Sequence, residues 1–179
     1  MNIKEVKVTE VGPRDGFQSE KTILKTEDKI DIINNLIEAG FPRIEVSSFV
    51  SPKAIPQLAD AESILSKVNR SSKTTLAALV PNSRGALRAV EAKLDEIVVF
   101  LSASESHNIK NVNRSVDESL QGFKEIADIA GKNNIPIQGD IATAFGCPFE
   151  GNISPKKLAD ISKEYKQMGF KGVTLGDTT

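Results

Sequence analysis

The chain has 179 residues, 39% hydrophobic and 26% charged, with a formal net charge of -1. That length supports one substantial core and is short for two, and the near-neutral charge, with no Lys/Arg cluster interleaved with aromatics, argues against a nucleic-acid binder. No apolar run approaches the roughly 20 residues that span a bilayer, the polar opening Met1-Asn2-Ile3-Lys4-Glu5 lacks a secretory core, and a single cysteine and a single histidine exclude an internal disulfide and a multi-histidine metal site made by this chain alone, so a cytoplasmic protein with neither membrane nor nucleic-acid partners is expected.

Strand and helix patterns alternate along the chain. Val6-Lys7-Val8-Thr9-Glu10 alternates as a strand, and Val11-Gly12-Pro13-Arg14-Asp15-Gly16 then sets a cation and a carboxylate side by side just beyond it. Such a pair suits a site for a metal and an anionic substrate: Asp15 can ligate a hard cation through oxygen, and Arg14 can stabilise charge developing on an oxygen. The competing reading is an ordinary solvated turn. Thr26 is placed as the cap of a helix with Glu27 and Asp28 in its first turn and a stripe of Ile30, Ile33 and Ile37, ending at Gly40. The second strand is Arg43 to Ser47. Pro52 and Pro56 punctuate a loop before a helix from Asp60 to Val68, and Thr74 to Val80 reads as a buried third strand. A short helix from Ser83 to Ala92 leads to the clearest strand, Glu96 to Leu101, nearly continuous in bulky apolar residues. Ser115-Val116-Asp117-Glu118 is a capping box, opening a helix through Leu120, Phe123, Ile126 and Ala127. A fifth strand from Ile135 to Thr143, a helix from Ser154-Pro155 to Met168, and a sixth strand at Val173-Thr174-Leu175 complete the series.

Six strands separated by helices imply a parallel sheet with right-handed crossovers, which a doubly wound sheet and a (β/α)8 barrel both satisfy. No glycine-rich dinucleotide fingerprint follows the first strand. Polar residues do follow nearly every strand: Arg14 and Asp15, Ser47 and Ser48, Asn82, Ser102 and Glu105, Thr143, Asp177. Closure would gather them on one rim, so the expected fold is α/β, a TIM-type (β/α)8 barrel represented by about six βα units in a single domain over 1–179.

Six segments, in order from one end of the chain to the other, carry a resemblance to a known family. They are Val11 to Lys21, Ile44 to Lys53, Leu79 to Asn82, Ser102 to Asn113, Gly146 to Gly151 and Leu175 to Thr178. Together they resemble the 3-hydroxy-3-methylglutaryl-CoA lyases, barrel metallolyases related to isopropylmalate and homocitrate synthases; Pro13-Arg14-Asp15-Gly16 and Cys147-Pro148-Phe149-Glu150-Gly151 point to the lyase branch. The resemblance implies metal-assisted retro-Claisen cleavage of a CoA thioester to acetyl-CoA and acetoacetate, with Mg²⁺ or Mn²⁺ bound to the substrate hydroxyl. It makes Asp15 a metal ligand, places Arg14 on the enolate oxygen and adds Glu45 and Asp177 as acids of the same rim. Ser48, Asn111 and Thr178 match positions near the substrate, and Lys21 is placed to attract the CoA phosphates.

Each assignment has a structural competitor. Glu45 can be a buried partner that holds Arg14, and Asp177 can act through another group. Ser48 and Asn111 can cap loops, and Lys21 can be a solvated lysine. His107 is expected to be a loop packing residue, and Cys147 a small buried thiol rather than a nucleophile. The resemblance also implies two histidine ligands on the strand beyond Asp177 and, later, an asparagine ligand and a loop bearing a catalytic cysteine. These are not among the 179 residues, so the chain is expected to be a piece of a longer lyase, inactive alone, with unpaired strands that favour a homo-oligomer. The rival readings are a Claisen-type synthase or aldol lyase of the same barrel group, and a non-catalytic partial barrel serving as an assembly module.

Overall fold

The computed structural model describes residues 6–178. Six strands form one parallel sheet in sequential order: β1 (Thr9–Glu10), β2 (Arg43–Ser48), β3 (Thr75–Leu79), β4 (Glu96–Ser102), β5 (Ile137–Ala142) and β6 (Gly172–Leu175). Seven α-helices connect them: α1 (Phe17–Ser19) and α2 (Thr26–Glu38), then α3 (Ala61–Lys67), α4 (Ser83–Glu91), α5 (Glu105–Val112) with α6 (Val116–Lys132), and α7 (Pro155–Gln167). Each unit steps the same way along the sheet. A doubly wound sheet reverses its order at a switch point, so this order is that of a barrel wall, six strands of it.

The two faces of the wall differ because side chains alternate along each strand. One face, with Ile44, Val46, Ile97, Val99 and Ile141, packs beneath the helices in the main core. Gly139 belongs to this face: a Cβ there would sit 2.3 Å from Tyr165 Cδ2, so only glycine lets the buried Tyr165 ring lie against β5. The other face lines the inside of the curl, where Ala77, Leu79 and Val98 form a small cluster with Phe100 packed against it.

Several boundaries differ from the sequence reading. Only Thr9 and Glu10 pair in β1, while Val6 and Val8 are exposed. Thr26 is not a cap; Lys25 occupies that position, and Thr26 Oγ1 donates instead to Asp60 Oδ2 at 2.8 Å. The buried Lys29 reinforces this tie, its Nζ donating to Gln57 O and to both Asp60 oxygens. The fifth strand starts at Ile137, after Pro136, which has no N–H for the ladder. It ends at Ala142, because Thr143 turns into the left-handed region at φ 54°. Residues read as loop after β4 form α5, and Asn82, read as a rim residue, caps α4 by accepting from Gly85 N at 2.9 Å. The capping box is present as expected, with Ser115 Oγ accepting from Glu118 N at 3.0 Å and Glu118 Oε2 from Ser115 N at 2.7 Å.

Candidate active site

A cavity of about 530 Å³ opens at the C-terminal ends of the strands, the size of a small-molecule pocket. Arg14, Asp15, Ser48, Asn111, Asp140 and Thr178 line it, so five of the eight candidate residues meet there, together with one that the sequence reading passed over.

Arg14 is presented by a single π-helical turn, Gly12–Gly16, directly after β1. Its Nε and Nη2 both lie 3.0 Å from Glu45 Oε2, and its Nη1 lies 2.6 Å from Asp15 Oδ1. Glu45 is buried on β2 and lies beneath the cavity rather than on its wall. From there its carboxylate holds the Arg14 guanidinium in place. Below it the pairing continues: Glu45 Oε1 lies 3.3 Å from Arg43 Nη1, Arg43 Nε donates to Glu96 Oε1 at 2.9 Å, and Lys171 pairs with Glu96 Oε2. An ionic chain thus runs up the inside of the wall to the cavity. Breaking a buried member by truncation leaves an uncompensated charge, which makes such a chain a rigid mount.

Glu45 and Ser48 are three residues apart, and strict alternation would point them to opposite faces. A bulge resolves this. Glu45 pairs with Ala77 but Ser47 with Ala78, so the extra residue brings Ser48 to the cavity while its Oγ donates to Leu79 O at 3.4 Å.

Asn111 and His107 arrive on α5, whose cap is Ser104, accepting from His107 N at 3.1 Å. The anchor of this helix is the buried Asn108. Its Oδ1 accepts from Ser102 N, and its Nδ2 donates to Arg114 O, Ser115 O and Ser119 Oγ, all within 3.0 Å. His107 is therefore a helix residue on the cavity wall, with Nδ1 2.6 Å from Ser102 Oγ, and not the loop residue expected. Glu105, another rim residue in the sequence reading, accepts from Val116 N and ties α5 to α6. Cys147 is buried, with Sγ donating to Ser104 Oγ at 2.9 Å.

Thr178 is held by Thr143, whose backbone N–H donates to Thr178 Oγ1 at 2.8 Å. The buried, β-branched Thr143 sits at positive φ, a conformation costing about 1–3 kcal/mol that persists only where its surroundings enforce it. Asp177 is exposed between two cavity residues, Gly176 and Thr178, without lining the cavity itself. Lys21 is likewise exposed and away from the cavity wall.

Asp140 is the residue that the sequence reading missed. It lies mid-strand on β5, faces the inside of the curl and has a buried Oδ1 with no hydrogen-bond partner. Burial pushes its carboxyl up to about 6; a Thr174 hydrogen bond and the charges of Arg43 and Arg14 oppose the shift, and the Glu45 carboxylate adds to it. A polar residue alternating with Ile137, Gly139 and Ile141 was the available signal, but attention to strand ends passes over it.

For a divalent cation the donors match in kind but not in number. Asp15 is a hard oxygen ligand with one oxygen already on Arg14, and among the described residues no three His, Cys, Asp or Glu side chains are grouped to hold an ion.

The HMGL-like family model matches residues 5–179. Human mitochondrial hydroxymethylglutaryl-CoA lyase is 45% identical over 175 residues, which cover 98% of this chain and 54% of that protein. The rat cytoplasmic 3-hydroxy-3-methylglutaryl-CoA lyase is 44% identical over 173 residues, covering 97% and 50%. The solved structure of an HMG-CoA lyase from Acinetobacter baumannii, in complex with coenzyme A and 3-methylmalate, superposes with a TM-score of 0.93 at 44% identity, covering 100% of this chain and 59% of that one. The chain thus spans about half the length of the curated relatives it matches. On this evidence the chain belongs to the HMGL-like family.

Proposed function

We propose that these residues form the substrate-facing half of a carbon-carbon lyase that cleaves 3-hydroxy-3-methylglutaryl-CoA into acetyl-CoA and acetoacetate. The observation that carries this reading is Arg14, clamped between Glu45 and Asp15 on the wall of a cavity of about 530 Å³. In the reaction the substrate hydroxyl loses its proton, the carbon-carbon bond breaks, and its electron pair passes into the thioester as an enolate. A guanidinium already fixed in place stabilises that oxygen without reorganising during the step. Ser48, Asn111 and Thr178 supply hydroxyl and amide groups around the acyl chain, and Asp177 is an acid at the rim. Lys21 serves as a remote charge for the CoA phosphates. A divalent cation, Mg²⁺ or Mn²⁺, polarises the hydroxyl when bound, with Asp15 giving it one oxygen. The donor set for that ion is incomplete among the described residues.

The compartment proposed is the cytoplasm, with the rat and zebrafish cytoplasmic lyases as precedents. Relatives named mitochondrial match equally well, so cell fractionation decides it. A second reading follows from the relative solved with coenzyme A and 3-methylmalate, a smaller branched hydroxy diacid: a lyase or synthase acting on a shorter acyl group. Product analysis separates the two. The protein expressed from its complete open reading frame, incubated with the thioester and Mn²⁺, is expected to release acetoacetate, and Arg14→Gln to lower turnover on the order of a thousandfold with cation affinity retained. Condensation of acetyl-CoA with a keto acid in place of cleavage, or full turnover in Arg14→Gln, overturns this reading.

A further inference from the structure

The ionic chain below the cavity turns on Arg43, at the start of β2. Its Nε donates to Glu96 Oε1 at 2.9 Å, with Nη2 at the same distance from that oxygen, while Nη1 lies 3.3 Å from Glu45 Oε1 and 3.4 Å from Thr9 Oγ1. One guanidinium thus ties β1, β2 and β4 together. β3 stands between β2 and β4, and the small Ala77 is what leaves room for the crossing. The register sets Ala77 beside Glu45 on one side and beside Glu96 on the other, so β3 puts no more than a methyl group between the two carboxylates. Lys171, just before β6, closes the far end by pairing with Glu96 Oε2.

We propose that Arg43 is a positioning residue of the cleavage: by holding one oxygen of Glu45, it fixes the angle at which the other oxygen presents Arg14 to the substrate. This role rests on the lyase reading above. The last torsion of a glutamate side chain is broad, so a carboxylate held at one oxygen can turn. Glu45 is held at both, Oε1 by Arg43 and Oε2 by Arg14. Arg43 is held in its turn by Glu96, which is fully buried and has both oxygens in ion pairs. From Lys171 through Glu96, Arg43, Glu45 and Arg14 to Asp15 the charges alternate in sign.

Without the Arg43 guanidinium, Glu45 and Glu96 face each other across Ala77 as like charges. Glu45 is then free to turn, and Arg14 moves with it. A fixed donor stabilises a developing enolate oxygen only from the right place, so a displacement that begins at Arg43 is read as lost turnover. Lysine is the informative substitute at this position. It keeps the charge, so neither buried carboxylate is left without a cation, but a single ammonium lacks the planar fork that holds Glu45 and Glu96 in one geometry.

The test uses the protein from its complete open reading frame, with the thioester and Mn²⁺. Arg43→Lys is expected to lower kcat on the order of tenfold with KM changed by less than about threefold, as when an interaction made in the transition state is weakened. The deciding measurement repeats the substitution beside Arg14→Gln. With no guanidinium left to position, Arg43→Lys is expected to change kcat there by less than about twofold, whereas a residue that only supports the fold multiplies its loss onto that of Arg14→Gln. Ala77→Val alters no charge and narrows the crossing over β3, and is expected to give the same pair of results. Parental kcat in Arg43→Lys, a loss expressed in KM alone, or a loss that persists in full beside Arg14→Gln overturns the positioning role and leaves the lyase reading intact. Should Arg43→Lys fail to fold, the same two measurements on Ala77→Val decide in its place. A wild-type protein that releases no acetoacetate overturns the lyase reading itself, and this role with it.

Discussion

A buried carboxyl whose pKa rises on folding makes the native state a proton trap. Asp140 has an ordinary value of 3.8 and is pushed up to about 6 in the fold, chiefly by burial. Between those values the native chain binds more protons than the unfolded one, so stability is highest below about pH 4 and falls as pH rises through 6. A shift of that size corresponds to about 3 kcal/mol. Urea unfolding of wild type and Asp140→Asn at pH 4 and pH 7 isolates this effect: the wild type is expected to lose about 2 kcal/mol more than the variant over that interval. Parallel losses in the two proteins would show that Asp140 titrates normally. Arg14 and Asp15 were legible in the sequence because a local motif places them, and the Arg14–Glu45 pairing was among the roles weighed. Asp140 was not legible, since its importance lies in what surrounding charges leave undone. Only once Arg14, Arg43 and Lys171 are seen to be occupied does the remaining acid stand out.

Elements show the same division between local pattern and tertiary cause. The central strands, the capping box at Ser115 and the helices with an apolar stripe follow from periodicity, which the fold respects. By contrast, α5 contains only Ile109 and Val112 as bulky apolar residues and is pinned by the amide of Asn108, so a search for hydrophobic spacing finds nothing there. The β2 bulge that aims Ser48 is equally silent, because Glu45-Val46-Ser47-Ser48 reads as an unbroken strand. The contact of β5 with α7 is where an element-scale argument gives a number. A Cβ on Gly139 would meet Tyr165 Cδ2 at 2.3 Å and Phe170 Cδ2 at 2.9 Å, and both rings are buried in the close-packed core. Gly139→Ala is expected to cost about 1–3 kcal/mol, visible as a lowered thermal midpoint. Gly172→Ala is the control: its Cβ would meet only the end of the Gln138 side chain, which can swing aside, so a much smaller change is expected. Equal losses would mean that Tyr165 does not enforce the packing of β5.

At the scale of the molecule the sheet has, among the described residues, two sides without a neighbour. β1 pairs only with β2 and β6 only with β5, and Val173, Thr174 and Leu175 are exposed along β6. Unpaired N–H and C=O groups beside apolar side chains are a template for another strand, and natural edges are usually blunted by charge, proline or a covering element. None of these occupies Gly172–Leu175, although Lys171 at its start is drawn inward to Glu96. The same edge bears the cavity, since Thr174, Gly176 and Thr178 line it, so whatever pairs with β6 also closes the site. Expressed as these 179 residues, the protein is therefore expected to self-associate, with a mass by light scattering that rises with concentration. Val173→Lys, which puts a charge on the exposed strand without touching the inward Thr174, is expected to shift the population toward monomer while leaving the helical circular dichroism unchanged. A wild-type chain that stays monomeric at every concentration would mean that this edge is already covered, and the outward position of Val173 and Leu175 would have to be revised.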